Sequence, residues 1–171
     1  MEPLLHFTIP FLSFLLVGVQ PKKAFLLSLL ALVPDLDALF LVHRSFTHSI
    51  VCISIILLIA VLMLRKFKSG MLRYAFMGFF AIASHLVLDV FTGFTPILWP
   101  LYNFSIWISL DITAHVGSLP SLMLHFTLLK EPITFVATKS LDAPIFTSYG
   151  LAIVAVLLMP VLISLIKIRR T

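Results

Sequence analysis

Apolar residues arrive in this chain in long unbroken runs, and short basic or Pro- and Gly-marked breaks separate them. Runs with no polar stripe predict helices whose surroundings are apolar on every side. The first extends from about Leu4 to Val19, with Pro10 as an expected kink. The second, from Ala24 to about Val42, would span about 28 Å at ~1.5 Å per residue, and Pro34 interrupts it. The third, Phe46 to Leu64, stops at Arg65, Lys66 and Lys68, and the fourth runs from Met71 to Phe91. A last run, from about Pro144 to Ile166, ends in Lys167, Arg169 and Arg170. Between Thr92 and Asp142 the apolar segments are shorter, which predicts interfacial or re-entrant helices or a tight hairpin. The expected fold is therefore all-α, a polytopic membrane helix bundle of about five transmembrane helices (four to six). It forms one integral membrane domain over 1–171, with metal-site helices in 1–92, an outer segment in 93–143, and a C-terminal helix and basic tail in 144–171.

Composition removes the soluble alternatives. Hydrophobic residues make up 61% of the chain and charged ones 11%, against roughly half and a quarter in ordinary soluble domains. A globule in water could not hide so much apolar surface, and a disordered chain would be far more polar. The net charge of +5, from 12 Lys and Arg against 7 Asp and Glu, would point to nucleic acid in a soluble protein. Here the basic residues sit in short clusters beside apolar runs. Membrane lipids are the partner expected, with no direct nucleic acid; the oligomeric state is not legible. Cys52 is the only cysteine, so no intrachain disulfide forms. Met1-Glu2-Pro3 lacks a basic leader, and the first run is read as a retained span.

Basic residues also predict orientation. With five spans and the 92–142 stretch outside, nine basic residues lie inside (Lys22, Lys23, Arg65, Lys66, Lys68, Arg73, Lys167, Arg169, Arg170). Three lie outside: Arg44, Lys130 and Lys139. The positive-inside rule then places the N-terminus outside and the C-terminus inside a multi-pass protein of the cell membrane. The acidic residues and most histidines, which took no part in that choice, fall on the outer side.

Ionisable groups within apolar spans are costly, about 2.5–3.5 kcal/mol for a mid-helix Asp. They call for a partner or a task. His6 and His48 lie near the outer starts of spans one and three, and His85 and Asp89 near the outer end of span four. Asp35 and Asp37 follow the Pro34 break, and His43 and Arg44 lie in the turn beyond. His85 and Asp89, four residues apart, share one helix face. A mixed imidazole and carboxylate set suits Zn²⁺, with Mn²⁺ or Fe²⁺ as alternatives. Six or seven ligands exceed the needs of one four-coordinate ion, so two ions are expected, an arrangement suited to clamping a phosphoester. Arg44 would either snorkel to headgroups or, beside such a cluster, hold a phosphate in bidentate fashion. Thr47 and Thr92 would support ligands from behind, and Trp99 and Tyr102 fit an interfacial aromatic belt.

Four segments in order carry a resemblance: Pro34-Asp35-Leu36-Asp37, His43-Arg44-Ser45-Phe46-Thr47-His48-Ser49, Ser84-His85 to Asp89-Val90-Phe91-Thr92, and Leu98-Trp99-Pro100. Over roughly the first hundred residues the chain resembles the inner-membrane metal-dependent hydrolase family, some of whose members are described as LexA-binding. That family is distantly similar to zinc-dependent phospholipase C and the fungal single-strand nucleases. The resemblance implies a zinc cluster on His6, Asp37 (or Asp35), His48 (or His43), His85 and Asp89. It departs at both ends: Met1 precedes His6 by five residues, and no His-x3-Glu or His-x3-Asp follows Asp89 to hold a third ion.

The function expected is hydrolysis of a phosphoester in a lipid or lipid-linked substrate at the outer headgroup layer, by water that divalent ions activate. The metal set is His6, Asp35, Asp37, His43, His48, His85 and Asp89. Asp35, Asp37 and Arg44 take catalytic roles, and Arg44, Thr92 and Trp99 contact substrate. The alternative is a non-enzymatic membrane protein, a metal or proton transporter or a partner-binding regulator, built on the same cluster.

Overall fold

The structure, a computed structural model, describes residues 2–42, 44–116, 121–137, 139 and 147–168, with side chains as far as Val161 in the last helix. In chain order it contains α1 (Pro3–Leu16), α2 (Pro21–Ser28), α3 (Ile50–Phe67), α4 (Leu72–Thr92), strands β1 (Phe104–His115) and β2 (Ser121–Pro132), and α5 (Ser148–Ile168). Three 3₁₀ segments, Leu29–Leu32, Pro34–Phe40 and Phe46–His48, fill the interval between α2 and α3. Proline opens α1, α2 and the Pro34 segment, where its fixed φ suits a first turn and its missing N–H is no loss. Ser49 caps α3, its hydroxyl accepting the Cys52 N–H.

α3 and α4 form an antiparallel hairpin joined through Ser69–Met71. The small residues Ala24, Ala31 and Ala81 are fully buried with Phe14 and Val19 in one cluster. That packing lets the 24–32 stretch lie close against α4 and brings α1 alongside. Outside this cluster α3 is open: Ile55, Ile56, Leu58, Ile59, Leu62 and Met63 are all exposed. An apolar helix at the heart of a soluble protein would be covered by its neighbours. This one matches a surface bathed in lipid.

The five-span, all-α expectation is overturned. Among the described residues, two helical stretches are long and apolar enough to cross a membrane, Ile50–Phe67 and Ser69–Thr92. The run from Ala24 to Val42 is not one helix but an eight-residue α-helix followed by two short 3₁₀ segments. Pro34 supplies no N–H for an i−4 carbonyl, so the α-helical ladder does not continue through it, although Val33 keeps helical angles of φ −61° and ψ −40°. α1 holds 14 residues, about 21 Å, with Pro10 buried inside it.

The remaining departure is the sheet. β1 and β2 pair antiparallel from Phe104↔Pro132 to His115↔Ser121, so of the alternatives for this stretch it is a hairpin, built of strands, and not interfacial or re-entrant helices. Ser105, Ser109, Asp111 and Thr113 alternate with Ile106, Ile108, Leu110 and Ile112, the period-two pattern of a strand. Read only for long apolar runs, that alternation passes for interrupted helix. The residues 140–146 and 169–171, which include Asp142, Arg169 and Arg170, lie outside the described set.

Candidate metal centre

One end of the helical assembly collects most of the buried polar groups. His48, His85 and Asp89 are completely buried, and His6 and Asp37 nearly so. Four different segments deliver them. α4 supplies His85 and Asp89 one turn apart, α1 supplies His6, the Pro34 segment supplies Asp35 and Asp37, and the turn before α3 supplies His48.

Asp35, His48, His85 and Asp89 each place one ligand atom within 4.8 Å of the other three. His48 Nε2 and His85 Nε2 are 3.3 Å apart. Asp35 Oδ1 lies 3.6 Å from each of these nitrogens, and Asp89 Oδ2 lies 3.2 Å from the first and 3.5 Å from the second. A tetrahedron of ligands about 2.0–2.2 Å from a zinc ion has edges of about 3.3–3.6 Å. Five of the six edges here fall at or beside that length. Both oxygens of Asp35 and both of Asp89 are buried without a hydrogen-bond partner. Their neighbours are imidazole nitrogens and the Arg44 guanidinium at 3.2–3.6 Å, and a divalent cation among them would offset the cost of burying two carboxylates. The residues present therefore fit such an ion.

The 3₁₀ geometry around Pro34 explains how both nearby aspartates reach one ring. With three residues per turn, side chains two apart diverge by about 120°, whereas an α-helix would set them almost opposite. Asp35 thus faces His48 Nε2, while Asp37 Oδ2 lies 3.3 Å from His48 Nδ1. Asp37 is itself held by the Ser45 amide, which donates to Oδ2 at 2.7 Å, and the Thr47 hydroxyl lies 3.1 Å from the same oxygen. The sequence left Asp35 and Asp37 interchangeable. In the fold Asp35 joins the group of four and Asp37 lies behind His48, where a carboxylate would orient a metal-bound histidine.

Electrostatics at this turn follow from crowded carboxylates. Burial works against a charged His48 ring, but the carboxylates of Asp35, Asp37 and Asp89 around it outweigh burial and hold the pKa up at about 10. Burial likewise opposes ionised Asp37, yet the bonds from His48 and the Ser45 amide hold its pKa below the usual carboxylate value. The pocket is built to contain positive charge.

His6 stands beside the group. Its ring lies 4.0 Å from that of His85, centre to centre, and its Nε2 is 3.5 Å from Asp89 Oδ1, the oxygen turned away from the other ligands. His43 lies outside the described residues. Arg44, with φ 58°, aims its side chain back at the centre: Nε is 3.5 Å from Asp89 Oδ2, Nη2 donates to Thr92 Oγ1 at 2.8 Å and Nη1 to the Phe94 carbonyl at 3.3 Å. Thr92 therefore positions Arg44 and donates its own hydroxyl proton to the Asp89 carbonyl. Trp99 is set apart, stacked edge-on against Phe135 and near Phe46, with its carbonyl accepting the Ser49 hydroxyl.

Two residues escaped the sequence reading. A side chain on Gly93 would meet Arg44 Nη1 at 2.3 Å, so this glycine makes room for the guanidinium. Glu131, distant in sequence, lines a pocket of about 150 Å³ with Arg44, Phe94 and Ser105. A glycine after a helix is ordinary punctuation, and a strand carboxylate gives no local sign of its neighbour. Neither carried a legible signal.

Exposed apolar helices around a buried set of imidazoles and carboxylates define a helical membrane protein with a candidate metal centre at one end. The chain belongs to the YdjM inner membrane protein family, whose model matches residues 1–170. No curated protein and no solved structure matches it.

Proposed function

We propose that this inner-membrane protein is a metal-dependent hydrolase acting on a phosphoester of a lipid or lipid-linked substrate at the outer headgroup layer. The observation that carries the reading is the near-tetrahedral set of Asp35, His48, His85 and Asp89 with the Arg44 guanidinium against it. A divalent ion held there, Zn²⁺ before Mn²⁺ or Fe²⁺, would polarise a phosphoryl oxygen and bring the pKa of water towards neutrality. His6 Nε2 and Asp89 Oδ1, 3.5 Å apart, offer the position for a second ion. Arg44 borders both the centre and the 150 Å³ pocket, room for on the order of ten waters, so it would orient a phosphate between them. Asp37 holds the His48 ring in register, and Asp35, the most accessible carboxylate, is placed to accept a proton.

Orientation belongs to the same proposal. The start of α3 and the end of α4 lie at the centre, while Arg65, Lys66, Lys68 and Arg73 lie at the far end of the hairpin, about 27 Å away. Lys23 donates to the Tyr74 hydroxyl at 3.2 Å, which brings Lys22 and Lys23 to that far end as well. Six basic residues at one end are the positive-inside pattern, and the centre then faces the outer leaflet. A conduction pathway would need polar groups along the rest of the hairpin. From Ile53 to Leu64 and from Ala75 to Ser84 only Ser54 and Ser84 are polar.

The test uses full-length protein in phospholipid vesicles, loaded with Zn²⁺ or Mn²⁺ and assayed for release of phosphate or a phosphorylated headgroup. Metal-dependent release, lost in His85→Ala and in Arg44→Lys, supports the proposal. Metal-loaded protein inert across a panel of phospholipids and lipid-linked phosphoesters overturns it.

A further inference from the structure

Beyond Ser105 and Glu131 at its base, the β1–β2 ribbon plays no part in the chemistry above, yet its two faces differ along the rest of its length. In an antiparallel pair, directly opposed residues share a face. From Ile108↔Leu128 to Ala114↔Leu122, every residue on one face is apolar. The intervening pairs, including Ser109↔Thr127 and Asp111↔His125, carry polar side chains, with Met123 the exception. The apolar face is uncovered: Ile112 is 68% exposed, Leu122 78% and Phe126 65%. A free two-stranded hairpin is marginal in water, and so long an apolar strip left in water would be a liability.

The base of the ribbon fixes where it lies. Thr95, three residues beyond α4, exchanges both backbone hydrogen bonds with Ile106 at 2.9 Å. Around this junction Phe94 packs edge-on against Trp107, Tyr102 lies against Phe104, Trp99 against Phe135, and Lys130 sits over the Tyr102 ring. Tryptophan and tyrosine with a nearby lysine are the side chains that settle at headgroup level. The ribbon thus leaves the end of a membrane-spanning helix within the interfacial layer. Ser105 and Glu131, on the polar face, turn towards Arg44 and its pocket, so the apolar face turns away from the site. Insertion across the bilayer is excluded, because both outer edges of a two-stranded ribbon carry unpaired amides and carbonyls that hydrocarbon cannot satisfy.

We infer that the β1–β2 ribbon is an interfacial membrane anchor, lying along the bilayer surface with the apolar face of Leu110, Ile112, Leu122, Leu124, Phe126 and Leu128 in the acyl boundary and its polar face in water. At ~3.3 Å per residue each strand covers about 40 Å of surface. The occupant of the apolar face is lipid, by continuity with the aromatic layer at its base and the lipid-bathed flank of α3.

The test is nitroxide labelling of the full chain in phosphatidylethanolamine–phosphatidylglycerol vesicles, with Cys52→Ser as background and single cysteines at positions 124 to 128. These side chains are all exposed, so labels leave the fold intact. Labels at 124, 126 and 128 are expected to collide with dissolved oxygen in preference to an aqueous nickel chelate. Those at 125 and 127 should show the opposite preference, a sign change at every step. Water accessibility at all five positions overturns the inference. So does protection of 124, 126 and 128 from both agents, which would mean that protein, a second copy included, covers the face.

Discussion

The candidate metal centre and the ribbon treat apolar surroundings in opposite ways. The centre draws polar groups inward, until His48, His85 and Asp89 have no contact with solvent, and leaves the outside of its helices apolar. The ribbon has no inside. Its polar and apolar side chains alternate, and every residue of β2 is exposed. Polar groups without water must satisfy one another or share an ion, so the centre depends on partners from four segments. The ribbon depends on its register alone, since each residue meets its own solvent. Substitutions at the centre should therefore act at a distance and act strongly, whereas substitutions on the ribbon should act locally and weakly.

The largest effect is expected at His85. His85→Ala removes a ligand that lies within 3.6 Å of three others, and stoichiometric metal should be lost, measured by elemental analysis after gentle purification. Free ion at a thousandfold excess over its dissociation constant should stabilise wild-type protein by about 4 kcal/mol. The melting temperature of His85→Ala should be indifferent to added ion or chelator. A variant that kept its full metal complement would show that the cluster is not a shared site. Next comes Asp37→Asn, which keeps the shape behind His48 but removes the charge. Metal should still bind, with affinity about 10–100-fold weaker, read by competition with a chelating dye. Complete loss would instead make Asp37 a ligand.

How far each region was legible follows from the same contrast. His85 and Asp89 were readable because a helix converts a four-residue spacing directly into proximity. The spans α3 and α4 were readable because their apolar runs are uninterrupted. The role of Asp35 against Asp37 was hidden, since it depends on the 3₁₀ turn after Pro34, and periodicity does not announce a change of helix type over seven residues. The run from Ala24 to Val42 misled for the same reason: hydropathy is blind to backbone hydrogen bonding. β1 was misread because its alternation is set in a chain where apolar stretches elsewhere mean helix. Gly93 and Glu131 became visible only when the folded chain brought them to Arg44.

A smaller effect is expected at Gly93. In Gly93→Ala the new methyl group would crowd Arg44 Nη1, and the guanidinium is expected to shift away from the Phe94 carbonyl and the Thr92 hydroxyl. Bonds to a charged donor are worth about 1.5–3 kcal/mol. If Arg44 positions phosphate, turnover should fall about 10–100-fold while metal content stays near wild type and stability falls by no more than those bonds contribute. Equal losses of metal and turnover would place Arg44 in the upkeep of the centre instead.

The smallest effect on the fold should come from the ribbon's apolar face. Phe126 is 65% exposed and lies opposite Leu110, itself half exposed. In detergent, Phe126→Ser removes little packed surface, and the melting temperature should move by no more than about 0.5 kcal/mol of stability implies. His125→Leu, on the opposite face of the same strand, should be equally mild. In vesicles the two should part: an environment-sensitive dye at position 124 should shift towards a wetter spectrum in Phe126→Ser and stay unchanged in His125→Leu. A ribbon that stood free in water would show no difference between them. A ribbon packed on protein would instead lose stability in detergent when Phe126 is cut back, because a side chain that a partner covers carries its packing energy wherever the membrane has gone.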